Sequence, residues 1–464
     1  MPEQFFAQLE SLARTAPEAC ALSDARESIS WGALPERIAQ MRHWLEQSAG
    51  TRIALLADNS CQWVLLDLAA MQLGIPLIPI PLFFSAQQRA HLLAQAGIDT
   101  LVSEQQGILR AESLQALPAE LHPGTAKITF TSGTTGNPKG VCLSSAQQLA
   151  VARSLAEHLS GLKIQRHLCL LPLATLLENV AGVYTALLMG AEVQLPSLTS
   201  LGWEGSSALN ASRLIQVLTS LTGQLTHASA LTDLKFVAVG GARVGPDLIQ
   251  RARALGIPAY EGYGLSECGS VVSVNTPSRD LPGSAGQPLP HNTLVVTPEG
   301  ELKVEGNVML GYLGEPAHEG FFATGDRVAL DASGFLHVQG RWRNVFINSY
   351  GRNLSPEWVE SELLALQGVQ EAVLFGDGQP CNAALLHAPG LSDHQLAQHL
   401  SALNARLPDY ARIKHWARTH GPLKADPALY TPNGRPRRDA IAQQYAHTLE
   451  SFFQPEQGNT HAVL

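Results

Sequence analysis

Short apolar runs alternate with helix-like segments from residue 20 to about residue 270 of the chain. The run RIALLADN (52–59) predicts a strand and a turn, and CQWVLLDLAAMQLG (61–74) predicts a buried helix that stops at its glycine. The segments that follow, IPLIPI (75–80), SAQQRAHLLAQAG (85–97) and DTLVSE (99–104), predict a strand, a helix and a strand. This alternation is typical of an α/β sheet built from crossover units.

The pattern changes between about residues 283 and 340, where short strand-like runs are separated by Gly, Asn and Asp turns. One such stretch is GELKVEGNVMLGYLG (300–314). Closely spaced short strands with turn residues between them predict a small antiparallel sheet or β-barrel-like subdomain.

Helical and strand patterns resume after GRWRN (340–344). SPEWVESELLAL (355–366) predicts a helix with Ser355 as its N-cap and Pro356 in its first turn. We therefore predict a large N-terminal domain of α/β subdomains over residues 1–341 and a small α+β C-terminal domain over residues 342–464.

The apolar stretch from Trp63 to Phe84 is long enough to suggest a membrane span. Asp67 and Gln72 interrupt its first half and prolines break its second half, so a continuous helix of the roughly 20 residues that a bilayer needs is not predicted. A buried helix followed by a short core strand explains the same residues. Peripheral contact with a membrane stays open as an alternative.

Length, charge and cysteine usage narrow the class of protein. A chain of 464 residues is too long for one ordinary core, and 45% hydrophobic with 15% charged residues is the balance of a globular enzyme. The net charge of −9 argues against a nucleic-acid surface. The six cysteines form no CxxC pair and the N-terminus shows no secretory pattern, so we expect a reducing, cytoplasmic location.

The loop in ITFTSGTTGNPKGVCLS (128–144) carries the clearest chemical signal. Its glycines expose backbone N–H groups, its hydroxyl residues add donors and Lys139 adds a mobile cation, which together predict an anion cradle. Lys139 is followed by glycine and not by Ser or Thr, so the loop is not a Walker A motif. The plain alternative is a polar turn between two strands, but such turns rarely run so long with so many donors.

Two later segments carry further candidate groups. YEGYGLSECG (260–269) places an aromatic ring, two glycines and Glu267 in one turn after a strand. FFATGDRVALDASGFLHVQGR (321–341) places Asp326 in a Thr-Gly-Asp turn and ends at Arg341. Taken alone, the first segment fits any strand-to-helix loop, and Asp326 fits a turn cap better than a ligand.

Taken together, five motifs resemble those of the adenylate-forming superfamily, which includes acyl-CoA synthetases, peptide-synthetase adenylation domains and luciferases. The resemblance spans about residues 25 to 440. The motifs are TSGTTGNPKG (131–140), YGLSE (263–267), GSAGQP (283–288), TGD (324–326) and GR (340–341). The resemblance implies activation of a carboxylate with MgATP to an acyl-adenylate, followed by transfer to a thiol or another nucleophile. It also implies that the small C-terminal domain is mobile.

The resemblance assigns roles to residues of this chain. Lys139, Glu267 and Arg435 take catalytic roles, Glu267 and Thr134 bind Mg²⁺, and Arg343 is the hinge. Asp326 and Arg341 bind the ribose. The remaining nucleotide-binding residues are Thr131, Ser132, Gly133, Thr134, Thr135 and Gly136 around the phosphates, and Gly240, Gly241, Ala242, Tyr263, Gly264 and Ser266 around the adenine and the adjoining turn.

The chain also departs from the family pattern. Arg435 in LYTPNGRPRRDAI stands where the family has a lysine, and the two cations are not interchangeable at a tightly fitted site. NVFINSYGRNLSPEWVE (344–360) and LPLATLLENVAGVYTALLMGAEV (171–193) resemble the long-chain fatty acyl branch, although Thr175 stands where that branch usually has His. An apolar helix in the second segment is equally what any core uses.

We therefore predict a fatty acyl-CoA synthetase-like ligase that activates a medium- or long-chain fatty acid to acyl-AMP and transfers the acyl group to CoA. The implied cofactors are ATP, Mg²⁺ and CoA. Two alternatives stay open. In the first, the acyl group is transferred to a carrier-protein phosphopantetheine or to an amine. In the second, which Arg435 suggests, the chain is a catalytically weakened ATP-binding homologue.

Overall fold

The computed structural model describes residues 1–105, 107–117, 119–131, 138–201, 234–241, 244–342, 346–347, 353–379, 381–431 and 434–453. The helices within these ranges are α1 Pro2–Thr15, α2 Leu34–Ser48, α3 Cys61–Leu73, α4 Ala86–Ala96, α5 Ser145–Leu159, α6 Thr185–Leu188, α7 Pro246–Ala254, α8 Pro356–Leu364, α9 Asp393–Arg406, α10 Arg438–Gln444 and α11 Ala446–Phe453. A π-helical segment, Leu177–Tyr184, leads directly into α6.

The strands fall into several sheets. Those of the N-terminal α/β part are β1 Cys20–Ser23, β2 Ser28–Ser30, β3 Ile53–Leu56, β4 Leu77–Pro79, β5 Thr100–Gln105, β6 Ile108–Ser113, β7 Lys127–Thr131, β8 Lys139–Leu143, β9 Arg166–Leu168, β10 Glu192–Gln194, β11 Val237–Val239, β12 Ala259–Tyr263, β13 Ser273–Val274 and β14 Gln287–Pro288. The later ones are β15 Asn292–Val296, β16 Glu301–Gly306, β17 Gly311–Tyr312, β18 Phe322–Leu330, β19 Leu336–Arg341, β20 Phe346–Ile347, β21 Asn353–Leu354, β22 Glu371–Phe375, β23 Asn382–His387 and β24 Ile413–Arg418.

A seven-stranded sheet with the order β17-β8-β7-β4-β3-β5-β6 forms the centre of the N-terminal part. Strand β3 pairs in parallel with β4 and β5, and β4 pairs in parallel with β7. Parallel neighbours need crossover connections, which α3 and α4 supply. The predicted α/β fold class is confirmed, and each strand and helix predicted over residues 52–104 is present.

Helix α3 accounts for the apolar stretch that begins at Trp63. Ser60 caps its N-terminus by accepting a hydrogen bond from the Trp63 N–H, and Gly74 ends it in a left-handed conformation with φ 68°. Nine of the 13 residues of the helix are buried, in agreement with the buried helix that the sequence predicts. Within the described part of the chain, no helix is both long and apolar enough to cross a membrane.

A second sheet confirms the antiparallel subdomain predicted between residues 283 and 340. Its order is β15-β16-β18-β19, and each neighbouring pair is antiparallel. The β18–β19 register places Asp326 directly opposite Arg341, at the end of the sheet that leads to the C-terminal part.

The C-terminal part has its own hydrophobic cores. Strands β22 to β24 form a sheet, and apolar side chains from this sheet, α8 and α9 make one buried cluster. The helix predicted from residue 355 is α8, with Pro356 in its first turn. Ser355 does occupy the N-cap position, but its hydroxyl donates to Glu357 and makes no capping bond. The boundary after residue 341 stays a prediction.

A buried ionic network connects the central sheet to the π-helical segment. Lys127 of β7 and Asp67 of α3 form an ion pair of 2.8 Å, with side chains only 3% and 2% exposed. Asn179 and Tyr184 donate to the second Asp67 carboxylate oxygen at 2.8 and 2.6 Å, and both also accept from the Lys127 ammonium. Such a network holds three elements in one arrangement only while every member is paired.

Candidate active site

The base of the predicted phosphate loop is an antiparallel strand pair. Thr131 ends β7 and lies opposite Lys139, which begins β8, so the two strands hold both ends of the seven-residue segment between them. The Lys139 side chain is half-exposed and its ammonium forms an ion pair of 2.8 Å with Glu315. The same ammonium lies 4.8 Å from the centre of the Tyr312 ring.

Five residues of that loop, with two others, lie outside the described residues. They are Ser132, Gly133, Thr134, Thr135, Gly136, Ala242 and Arg343. Their assignments to phosphate, metal, adenine and hinge stay predictions.

Glu267 lies in a short 3-10 turn, Ser266–Cys268, directly after β12. The Tyr312 hydroxyl donates to its carboxylate at 2.8 Å, and its backbone carbonyl accepts from the Met309 N–H at 2.7 Å. Gly264 lies between β12 and this turn, at a position where a Cβ atom would be 1.7 Å from the Ser270 carbonyl oxygen. The structure therefore gives Gly264 a packing reason to be glycine, independent of nucleotide binding.

Asp326 is held by two side chains of the N-terminal part. It is almost fully buried, and it accepts from the Tyr263 hydroxyl at 2.6 Å and pairs with the Arg341 guanidinium at 2.9 Å. Burial raises the pKa of Asp326, and Arg341 and Tyr263 oppose that rise. Burial and the Asp326 carboxylate together raise the pKa of Tyr263, so its phenol remains a donor at neutral pH.

The predicted adenine slot is described in part. Gly240 follows β11, where a Cβ atom would come within 3.0 Å of the Gly262 carbonyl oxygen, and Gly241 adopts a left-handed φ of 83°. Because β11 pairs with β12, both glycines lie beside the strand that ends at Tyr263. Residues without a side chain let a flat base approach the backbone closely. The adenine-binding role of these two glycines stays a prediction.

Arg435 of the C-terminal part lies near the carboxylates of the N-terminal part. Its side chain keeps a solvent-exposed face. Desolvation and the Arg341 guanidinium lower the pKa of Arg435, while Asp326 and Glu267 act in the opposite direction. The Arg435 backbone carbonyl accepts a hydrogen bond of 2.8 Å from the Thr431 N–H.

The neighbouring arginine has a different task. Arg438 donates to both carboxylate oxygens of Glu360, one of them at 2.8 Å, and the pair is largely buried. Arg438 is therefore paired with a carboxylate inside the C-terminal part. Arg435 instead interacts electrostatically with Asp326 and Glu267 of the N-terminal part. The structure thus distinguishes two arginines that sequence position alone leaves ambiguous.

Tyr312 and Glu315 are the site residues that the sequence analysis missed. They lie in GYLGEP, 45 and 48 residues beyond Glu267, and no spacing rule connects the two segments. Strand β17 brings them into place because it pairs with β8, the strand that begins at Lys139.

An α/β fold with an antiparallel subdomain, in which these lysine, carboxylate and arginine groups lie near one another, is the architecture of an adenylate-forming enzyme. Residues 9–313 match the model of the AMP-binding enzyme family, and residues 344–457 match that of the AMP-binding enzyme C-terminal domain. The chain belongs to the AMP-binding enzyme family.

Similar proteins include CoA ligases that are named for different carboxylic acids. A 2-succinylbenzoate–CoA ligase of Enterococcus faecalis is 28% identical over 408 residues, covering 78% of this chain and 83% of the relative. A long-chain-fatty-acid–CoA ligase of Mycobacterium bovis is 26% identical over 437 residues, covering 73% of each. The predicted superfamily and enzyme class, an AMP-forming acid–thiol ligase, are confirmed.

Solved structures agree on the fold. The anthranilate–CoA ligase AuaEII in complex with anthranoyl-AMP matches with a TM-score of 0.77 and 17% identity, covering 97% of this chain and 98% of that one. The O-succinylbenzoate–CoA synthetase of Bacillus subtilis in complex with ATP and a magnesium ion matches with a TM-score of 0.70 and 23% identity, covering 89% and 95%.

Proposed function

We propose that this protein activates an apolar carboxylic acid, a medium- or long-chain fatty acid, with ATP to form acyl-AMP and then transfers the acyl group to CoA. One observation carries the proposal. In the N-terminal part, Lys139 and Glu267 both contact Tyr312, and Asp326 pairs with Arg341. Arg435 of the C-terminal part lies close enough to Asp326 and Glu267 to interact electrostatically with both carboxylates.

Each of these groups suits one part of the nucleotide. The Lys139 ammonium is half-exposed and can turn from Glu315 to offset the charge that builds on departing pyrophosphate. Asp326 can accept from the ribose hydroxyls, with Arg341 holding the carboxylate in place. Arg435 can bridge the substrate carboxylate and the α-phosphate, because a guanidinium donates in a fork that matches two oxygens.

The metal fits the chemistry of Glu267. Mg²⁺ prefers oxygen ligands and keeps several waters, so one carboxylate with phosphate oxygens is a sufficient protein contribution. Tyr312 donates to the Glu267 carboxylate without neutralising its charge. When bound, the metal supplies charge neutralisation on the phosphates.

The acid is proposed from the segment 168–177, which contains no charged residue. Leu173, Ala174 and Leu176 in this segment are buried. The first carboxylate after it, Glu178, accepts from the Leu171 N–H at 2.9 Å and contacts His167 at 2.6 Å, so it is already engaged. An amino acid substrate requires a carboxylate for its ammonium, and a second carboxylate on a substrate requires a cation. Neither is offered along 168–177.

The acceptor is proposed as CoA because both curated relatives described above are CoA ligases. Transfer to a carrier-protein phosphopantetheine or an amine remains an alternative without such support. The weakened-homologue alternative predicts acid-independent ATP binding with negligible pyrophosphate release, which separates it from both.

The test is a profile of acid-dependent pyrophosphate release. Straight-chain acids of increasing length are compared with benzoate, 2-succinylbenzoate and amino acids, with CoA or holo-carrier protein added in turn. We expect kcat/KM to rise about fourfold for each methylene buried, from roughly 0.8 kcal/mol each, until the pocket ends. A flat series, or preferred activation of an aromatic or amino acid, contradicts the proposed substrate.

A further inference from the structure

Tyr312 lies between the two charged side chains that the proposed function assigns to phosphate and metal. Its hydroxyl donates to the Glu267 carboxylate at 2.8 Å. Its ring faces the Lys139 ammonium, which lies 4.8 Å from the ring centre. One side chain therefore contacts a cation through its π face and an anion through its polar end, the two kinds of contact that a phenol makes best.

The backbone of Tyr312 is held from both sides. Strand β17 pairs with β8, and the Leu313 N–H donates to the Gly140 carbonyl at 2.8 Å, one residue after Lys139. The Tyr312 carbonyl accepts from the His122 ring at 3.0 Å. On the other side, the Met309 N–H donates to the Glu267 carbonyl. The segment 309–313 thus joins the strand that carries Lys139 to the turn that carries Glu267.

The direction of the hydrogen bond between Tyr312 and Glu267 follows from the two groups. A carboxylate oxygen accepts, so the Tyr312 hydroxyl is the donor at 2.8 Å. The donated bond therefore orients the Glu267 carboxylate.

We propose that Tyr312 is a positioning residue that sets Glu267 and Lys139 in the mutual arrangement needed to bind MgATP. The inference rests on the proposed function, because it assumes that Glu267 contributes to the metal and Lys139 to the phosphates. The hydroxyl acts on the carboxylate and the ring acts on the ammonium, so the two actions can be removed separately.

Glu315 is the other partner of the Lys139 ammonium, so it must be distinguished from the ring. The Lys139–Glu315 pair is half-exposed on both sides, and exposed pairs contribute little to stability. Glu315→Gln removes a competitor of the phosphates, so ATP affinity should hold or improve. Loss of the ring should weaken ATP affinity instead.

The test compares Tyr312→Phe with Tyr312→Leu in the full chain. ATP binding is measured by equilibrium dialysis at a series of Mg²⁺ concentrations with no acid present, which is a readout independent of turnover. Tyr312→Phe should raise the Mg²⁺ concentration for half-maximal ATP binding by about threefold or more, with ATP affinity at saturating Mg²⁺ within about twofold of wild type. Tyr312→Leu should weaken both by about threefold or more.

Tyr410→Phe is the matched control, because it removes a tyrosine hydroxyl from the C-terminal part, and it should leave both quantities unchanged. The thermal midpoint of each variant is recorded beside the binding curve. A Tyr312→Phe protein with the wild-type Mg²⁺ requirement overturns the inference, and so does a Tyr312→Leu protein that binds ATP as Tyr312→Phe does. Failure of the proposed function looks different, because the wild type itself then fails to bind ATP or to form acyl-AMP.

Discussion

Replacing Asp67 by asparagine should destabilise the protein more than its modest change in shape suggests. The substitution leaves the Lys127 ammonium buried, 3% exposed, without the carboxylate that lies 2.8 Å from it. Breaking a buried ion pair from one side costs about 3–5 kcal/mol, because the remaining charge is uncompensated. Asn179 and Tyr184 still contact the lysine, so we expect a loss near the lower end of that range.

A double variant tests whether the unpaired lysine charge causes the loss of stability. Lys127→Met added to Asp67→Asn removes the stranded charge, although it also takes one partner from Asn179 and one from Tyr184. We expect the double variant to be more stable than Asp67→Asn alone, by about 1 kcal/mol or more. Asp247→Asn is the matched control, because Asp247 pairs with Arg406 at 2.6 Å with both side chains about half-exposed, and it should cost less than about 1 kcal/mol.

The stability of Asp67→Asn should also depend on pH in a defined direction. Burial lowers the pKa of Lys127, and loss of the opposing carboxylate lowers it further. The unfolded chain then binds more protons than the folded one between that lowered pKa and about 10.4, so stability rises as pH rises through this window. The wild type should show a weaker rise because its pair is intact.

The assay is urea denaturation followed by tryptophan fluorescence and circular dichroism, at a series of pH values from 7 up to about 10, just below the ordinary lysine pKa that closes the window. Coincident transitions from the two probes justify extracting a free energy. A double variant that is no more stable than Asp67→Asn, or an Asp67→Asn variant whose stability falls as pH rises, would refute the reasoning.

Three further predictions concern the reaction. Lys139→Ala and Glu267→Gln should each lower acid-dependent pyrophosphate release by about tenfold or more while the fold stays intact, and near wild-type release in both contradicts the assigned roles. Arg435→Ala should lose most adenylation but still transfer the acyl group from supplied acyl-AMP, and Arg435→Lys should recover at least part of the activity; normal adenylation by Arg435→Ala places the cation elsewhere. Arg343→Pro should harm thioester formation more than adenylation by fixing φ at the predicted hinge, and an equal loss in both half-reactions argues against that hinge.

The elements that sequence reasoning predicted well are those whose signal is local. The strand and helix alternation over residues 52–104 needs only period and turn residues, and the end of α3 follows from Gly74. The antiparallel subdomain is visible in its turn spacing for the same reason. Local chemistry likewise marks the loop rich in glycine and hydroxyl residues before any contact is known. The Thr-Gly-Asp turn predicted around Asp326 is wrong, because these three residues lie within strand β18.

Contacts between distant segments could not be predicted in this way. The strand Lys127–Thr131 lies inside the seven-stranded sheet, which buries both of its faces, including the Lys127 side chain. The partner of that lysine comes from α3, 60 residues earlier in the chain. Tyr312 contacts Glu267 only because β17 pairs with β8. Strand β17 has only two residues, so its pairing cannot be predicted from the sequence pattern.

Activation of a carboxylate through an acyl-adenylate can be tested by tracing the carboxylate oxygen atoms of the substrate into the nucleotide product. The enzyme is given a fatty acid labelled with ¹⁸O in its carboxylate, together with MgATP and CoA, and the nucleotide product is examined by mass spectrometry. Attack of the carboxylate on the α-phosphate, followed by cleavage of the acyl–oxygen bond by the thiol, leaves one carboxylate oxygen in the product. We therefore expect the AMP product to carry a single ¹⁸O atom. Unlabelled AMP, or ADP as the nucleotide product, would contradict it.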